Sequence, residues 1–398
     1  MIRLTLNLVA VRWPWWPAFF YVFLVGFSTG VCSQVLPYQP TELNLAKSPD
    51  QVFARHELFM GSNFISLKEF NNITQERFNT DPGGFAPQTN VNLALLKSHF
   101  EMGLIRGDSS FSLLHRLDAY SNVSEGMARL AYANKMGMRI PAGSVLNLRA
   151  EVQGHEFIGM KWGHSLYRYS DETHRVGFSG WVSALYGLQF AQLNGTGQLS
   201  STYFNYYYDA TLSQYSSSRT YPYISQEQTS GIGFSTGLHI SYEHRTSGRL
   251  TLVLNDLYSQ VNWKHLPYSE AALIFNRAKF NPQGYLIFDP ALLGQNDLNR
   301  RGFRQRLPIQ TTLIYTQNFH RLGASVGWQD DRNLSIPFAG VSWKFQNAQE
   351  ISYQHDFQFN GHQLGWRNDR WKLRVGWSQL PLSQTKMLAT QLHYIRPW

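Results

Sequence analysis

The sequence predicts an all-β fold, a transmembrane antiparallel up-and-down β-barrel of about 16 strands, within a range of about 12–18. Three observations predict it. Apolar and polar residues alternate with period two in segment after segment. Charged residues make up 15% of the 398, the same share as the aromatics, whereas soluble domains run near about a quarter charged. After the N-terminal segment no apolar run is long enough for a second membrane helix. A wall with one lipid face and one wet face needs this combination of many Tyr, Phe and Trp, few charges and a polar average (mean hydropathy −0.32).

Residues 1–33 read as an export signal peptide. Arg3 and Arg12 supply positive charge, Trp13 to Val31 is almost wholly apolar, and Val31, Cys32 and Ser33 precede a cleavage point. The run is also long enough for an uncleaved anchor, and lipidation of Cys32 is a third reading. The net charge of the chain is +9; cleavage removes two of 35 basic residues, leaving 33 against 26 acidic, or +7. Cys32 is the only cysteine, so the mature chain has no disulfide and no thiolate metal site.

Residues 34–90 lack clean alternation and carry Pro37, Pro40, Pro49, Pro82 and Pro87, with a short helix read near Ser66 to Arg77. They read as an N-terminal extension or an inserted plug, or as a first strand plus a loop. Residues 91–398 form the barrel. Ile232, Phe234, Thr236, Leu238, Ile240 and Tyr242 alternate with Gly233, Ser235, Gly237, His239, Ser241 and Glu243. Leu146, Leu148, Ala150 and Val152 alternate with Asn147, Arg149, Glu151 and Gln153, and Trp371, Leu373, Val375 and Trp377 with Lys372, Arg374, Gly376 and Ser378. Successive side chains of a strand point to opposite faces. Leu148, Leu238, Leu252 and Leu373 therefore read as lipid-facing, and Arg149, Glu151, His239, Glu243, Lys372 and Arg374 as lumen-facing. Trp263, Trp328, Trp343, Trp371 and Trp377 sit near strand ends, where an interfacial girdle places aromatics. A soluble sandwich or propeller is the alternative, with more exposed charge and a blade-length repeat that this chain lacks.

The sixteen segments are 97–107, 109–120, 127–140, 144–154, 156–169, 176–191, 199–212, 231–242, 250–263, 310–317, 322–329, 334–346, 350–358, 363–367, 371–379 and 386–398. With the last strand ending in the periplasm, the periplasmic turns become 192–198, 243–249, 318–321, 347–349 and 368–370, all short. The long connections 213–230 and 264–309 fall outside, as in bacterial outer-membrane barrels. Leu392, Tyr394 and Trp398 resemble the C-terminal signal read by barrel-assembly machinery, although Arg396 stands where that signal carries an aromatic.

The block Gly231 to Lys264 carries a further resemblance. Its Gly-rich strand, short basic turn, Arg249-Leu250-Thr251-Leu252, Asn255-Asp256-Leu257 and Asn262-Trp263-Lys264 resemble a hairpin of FadL-like and TraF-like bacterial outer-membrane barrels, closest to their uncharacterised members. The likeness extends loosely over residues 90–290. It implies an outer-membrane channel or transporter for a small, hydrophobic solute. The Asn-Pro-Ala near the mature N-terminus of FadL-like channels is missing; Leu43-Asn44-Leu45-Ala46 is a faint echo.

Catalytic signals are weak. Gly233-Phe234-Ser235-Thr236-Gly237 matches a serine-hydrolase string, but that string works on a strand-to-helix turn. Here it lies inside an alternating strand, with Ser235 and His239 about 13 Å apart at strand rise. His155-Glu156 lacks the second His of a zinc-protease motif. No enzyme activity, metal or cofactor is read, and no nucleic acid. Arg300, Arg301, Arg304 and Arg306 form the densest basic cluster and read as ordinary loop residues or as a contact for an anion or lipopolysaccharide phosphate. The partners read are outer-membrane lipid, lipopolysaccharide and the assembly machinery. A structural or assembly-associated protein with a closed barrel and partner-binding loops is the alternative function.

Overall fold

The computed structural model describes residues 50–69, 85–89, 91–136, 138–203, 206–217, 229–244, 246, 248–274, 279–280, 286–287, 293–332, 334–345, 349–382 and 384–397. The signal segment 1–33, the Leu43–Ala46 echo and Trp398 lie outside them. The wall opens with β1 (Gln51–Ser62), β2 (Val91–Arg106) and β3 (Ser109–Ser124), followed by helix α1 (Glu125–Met136). Next come β4 (Val145–Ser170), β5 (His174–Ser201), β6 (Tyr206–Ser216), β7 (Gly231–His244) and β8 (Gly248–Ile274). A two-residue pair, β9 (Lys279–Phe280) and β10 (Leu286–Ile287), precedes β11 (Leu293–Gln305), β12 (Gln310–Phe319) and β13 (Leu322–Asp331). The last five are β14 (Leu334–Lys344), β15 (Glu350–Asp356), β16 (Gly361–Arg367), β17 (Trp371–Trp377) and β18 (Met387–Pro397).

Fourteen strands close an antiparallel ring in the order β1 to β5, β7, β8, then β12 to β18, with β6 and β11 outside it. The expectation of about 16 strands holds. Closure comes from β1 against β18, registered from Gln51↔Pro397 to Gly61↔Met387. β6 and β7 lie end to end between β5 and β8: β6 pairs the upper half of β5, and β7 its lower half. β11 and β12 stack likewise along β8. The wall is therefore uneven. β15, β16 and β17 are 7 residues long, while β4, β5 and β8 have 26, 28 and 27.

Six short connections lie at one end, between Arg106 and Ser109, Ser170 and His174, His244 and Gly248, Phe319 and Leu322, Lys344 and Glu350, and Arg367 and Trp371; the turns Asp331 to Leu334 and Asp356 to Gly361 lie at the other. This turn end includes the four turns expected from 243 onward. Gly107 takes the left-handed conformation (φ 56°) that a two-residue turn needs. Asp171 Oδ1 accepts the N–H groups of His174 (2.6 Å) and Thr173 (2.7 Å), which holds its carboxyl well below the usual range.

Three local readings are corrected. Segment 127–140, read as a strand, is mostly helix α1. Its Ala128, Ala131, Ala133, Leu130 and Met127 are strong helix formers, helix α1 itself has no β-branched residue, and Ser124 Oγ accepts the Met127 N–H (3.2 Å) as an N-cap. Segments 144–154 and 156–169 are one strand, β4, carrying a bulge at Glu156/Phe157. The polar run 192–198, read as a turn, continues β5. It stands in the part of the wall beyond the ring, where water replaces lipid and polar strand residues cost nothing.

One face of each ring strand carries an exposed apolar residue: Val52, Met102, Leu113, Met160, Val182, Phe234, Leu250, Leu313, Val326, Val341, Ile351, Leu364, Trp371 and Leu392. Together they make a continuous outward belt, as lipid contact requires. Leu238, Leu252 and Leu373 are half-buried on this face. Leu148, read as lipid-facing, is instead buried with Leu146, Leu199, Ala133 and Ile140, against the face of β4 on which α1 packs. Leu373→Arg is expected to lower the folding free energy in lipid by about 2–4 kcal/mol. Arg374→Leu, on the opposite face, is expected to leave it largely unchanged. Urea unfolding in vesicles, followed by tryptophan fluorescence, checks both; the reverse order would mean the register is off by one.

Candidate functional site

The inward faces of the ring strands build three layers. At the turn end the lumen holds a cavity of about 620 Å³. Among the described residues seven cationic side chains line it (Arg55, Arg249, Lys344, Arg367, Arg370, Lys372, Arg374) against three acidic ones, Glu243, Glu350 and Asp369. His239, His244, His393, Gln354, Gln363 and Gln391 complete its polar wall. Arg367 pairs with Glu350 (2.8 Å), and Arg249 stands opposite Glu243 in the register. A cationic majority in a low-dielectric wall raises the local concentration of anions.

Above this vestibule lies a layer of buried ion pairs. Arg55 pairs with Glu101, whose carboxylate also accepts Ser112 Oγ (2.6 Å) and lies 3.4 Å from Lys161 Nζ. Lys161 stands over the Trp181 ring at 4.8 Å. Lys97 pairs with Asp331. Arg116 donates from Nε to Asp118 (2.5 Å) and from Nη1 to both oxygens of Asp256 (3.0 and 2.7 Å), and Ser235 Oγ donates to Asp256 (2.6 Å). A bulge in β8 positions Asp256: its φ is 55°, a left-handed conformation that Asp tolerates better than most residues. His99 and His155 reach the two oxygens of Asp118 at 2.7 and 3.2 Å. Gln305 Nε2 donates to His155 Nδ1 (3.1 Å), which leaves Nε2–H as the donor to Asp118, and Trp263 Nε1 donates to Gln305 (2.9 Å). A smaller space of about 60 Å³ lies among Arg55, Glu101, Arg116, Lys161, Trp181 and Asp256. Arg55 borders both spaces.

The third layer is apolar. Phe157, Leu185, Phe190, Val261, Trp263, Leu266 and Leu307 form one cluster, with Phe303 and Tyr215 against it. The indole of Trp263 lies flat on Gly187 and Gly231; a Cβ there would come within 2.4 and 2.8 Å of the ring, so both positions require glycine. A second cluster joins Phe59, Leu93, Leu95 and Tyr120 to Leu334, Ile336, Phe359 and Met387.

The sequence-read lumen residues divide. His239, Glu243, Lys372 and Arg374 line the vestibule. Arg149 is exposed and Glu151 half-buried, opposite Thr196 and Asn194 of β5, and neither borders the cavity. Of the basic cluster, Arg304 and Arg306 are exposed; Arg300 and Arg301 belong to β11, their side chains outside the described residues. Ser235 and His239 are both buried and inward, and Ser235 is committed to Asp256. The ion-pair layer escaped the sequence reading, although a signal was present. Lys97, His99 and Glu101, and again Arg116 and Asp118, fall at period two along β2 and β3. Charges on one face of a membrane strand belong to its lumen.

No protein-family model matches the chain, and no curated protein matches it. Among solved structures it is similar to a TodX deltaS2S3 mutant monoaromatic hydrocarbon channel (10% identity, 92% of this chain, 95% of that one, TM-score 0.40). It is similar also to the P. putida toluene transporter TodX (9% identity, 88% and 89%, TM-score 0.35). A third is the Ralstonia pickettii toluene transporter TbuX (9% identity, 88% and 90%, TM-score 0.29).

Proposed function

We propose that the protein is a bacterial outer-membrane channel that carries a small solute through its barrel. The observation that carries this reading is the 620 Å³ vestibule, lined by cationic and polar side chains, inside a ring with a continuous apolar belt. A cavity of this volume suits a small molecule. The aromatic cluster around Trp263 above it supports a solute with a hydrophobic body, as the FadL-like hairpin implies. The vestibule supports a preference for solutes that also carry negative charge.

The side chains packed across the upper lumen favour a second reading, a closed structural barrel whose loops bind partners. Single-channel current and solute flux into vesicles separate the two. A conducting protein that admits small solutes supports the channel; an electrically silent one that admits none, with the lumen pairs broken as well as intact, supports the structural reading.

The turn end faces the periplasm in this proposal, and the tall wall of β4, β5, β6 and β8 faces outward. Ser217, in the connection 213–230 read from the sequence as outer, is buried, its hydroxyl accepting the Phe190 N–H at 2.7 Å. Exposed Gln198 on the tall wall and Asp171 at the turn end are the better pair. With Cys32→Ser as background, an impermeant thiol reagent on intact cells is expected to label Gln198→Cys and spare Asp171→Cys. The opposite pattern would invert the orientation.

A further inference from the structure

We propose that the Lys97–Asp331 pair is a latch that holds the upper lumen shut, and that opening the channel requires it to part. The inference rests on the channel reading above. Lys97 belongs to β2 and Asp331 to β13. In the ring, β3, β4, β5, β7, β8 and β12 separate them, so the pair joins opposite walls. Both side chains are more than nine-tenths buried. This is not a rim contact between neighbouring strands but a bridge through the interior.

The surroundings fit a two-position device. Immediately beyond Asp331, Arg332 lies over the Tyr120 ring of β3 at 4.7 Å, a second contact across the lumen. Leu334 and Ile336 of β14 meet Leu95 and Tyr120 from β2 and β3. These apolar contacts give up little specificity when they slide, whereas a buried ion pair is all or nothing. Removing either partner leaves an uncompensated charge in the interior, which disfavours the shut arrangement far more than an open, wet one. β12 to β18 are short and lack the sheet extension that braces β4, β5 and β8, so the Asp331 side of the wall is the side free to move. Parting of the pair, with the apolar contacts around Leu334 and Ile336 sliding alongside, would open a path from the vestibule toward the outer mouth.

The test uses full-length protein carrying Lys97→Met, Asp331→Asn, or the exchange Lys97→Asp with Asp331→Lys. Two readouts are taken. The first is single-channel current in planar bilayers. The second is the distance between nitroxide labels at Asn122 of β3 and Gln358 beyond β15, on opposing walls. The single substitutions are expected to raise open probability at least tenfold and to broaden the label distance outward. The exchange, which restores the pair with reversed polarity, is expected to return both toward wild type. Heat-modifiable gel mobility confirms a folded barrel, and a variant that misfolds in cells is refolded into vesicles. Unchanged label distances in folded single variants, or an exchange as open as they are, would overturn the latch. A label distance that widens with no current or flux would leave the latch standing and sink the channel reading instead.

Discussion

Arg116→Met is expected to cost the barrel about 3–5 kcal/mol of unfolding free energy, the range for removing one partner of a buried ion pair. Arg116 pairs with two carboxylates at once, Asp118 through Nε and Asp256 through Nη1. Without it, Asp256 keeps only Ser235 among these contacts, and Asp118 keeps His99 and His155. The loss comes from the two stranded charges and not from the cation as such. Adding Asp256→Asn to Arg116→Met is therefore expected to recover part of the stability, because it removes one of those charges and keeps a side chain that accepts the left-handed backbone. Urea titration in vesicles measures both. A double variant less stable than the single one would show that the network stabilises through packing, with charge a minor contribution.

Lys372→Gln together with Arg374→Gln is expected to lower the anion-to-cation permeability ratio by about tenfold at low salt, and by less at high salt as ions screen the wall. Both residues face the vestibule from β17, with Arg367 and Arg370 beside them. Reversal potentials in a salt gradient give the ratio directly, and Asp331→Asn is included in both proteins so that current flows. The effect tests the wall charge separately from the latch. If selectivity persists after both charges are removed, the filter lies higher, among Arg55, Lys161 and Glu101. The double substitution is expected to leave the unfolding transition near its wild-type position, since these side chains border open space.

The strand content, the two faces and the sign of the vestibule charge were all legible in the chain. Trp371-Lys372-Leu373-Arg374 declares its faces by period two, and the register sets Leu373 beside exposed Leu392 and Arg374 beside buried Gln391. Periodicity is local, so it survives without knowledge of neighbours. The same rule misled where the local solvent changes. Polar Gln192 to Gln198 resembles a turn only if the strand is assumed to stay within lipid, and Leu148 resembles a lipid contact only if α1 is not there to cover its face.

What the sequence could not state is which residues meet across the lumen. Arg116 and Asp256 are 140 residues apart in the chain and touch because β3 and β8 curve toward each other in a closed ring. Lys97 and Asp331 meet for the same reason, and β1 counts as a wall strand because β18 pairs with it along its length. By itself the sequence determined that this chain is a membrane barrel with an apolar outside and a charged inside, because alternation along a strand is set by the pleat. Only the tertiary structure decided that the charged inside is a vestibule below and a bridged, packed seal above. Ring closure, strand tilt and unequal strand length set which inward side chains come within reach, and none of the three is a property of any one strand.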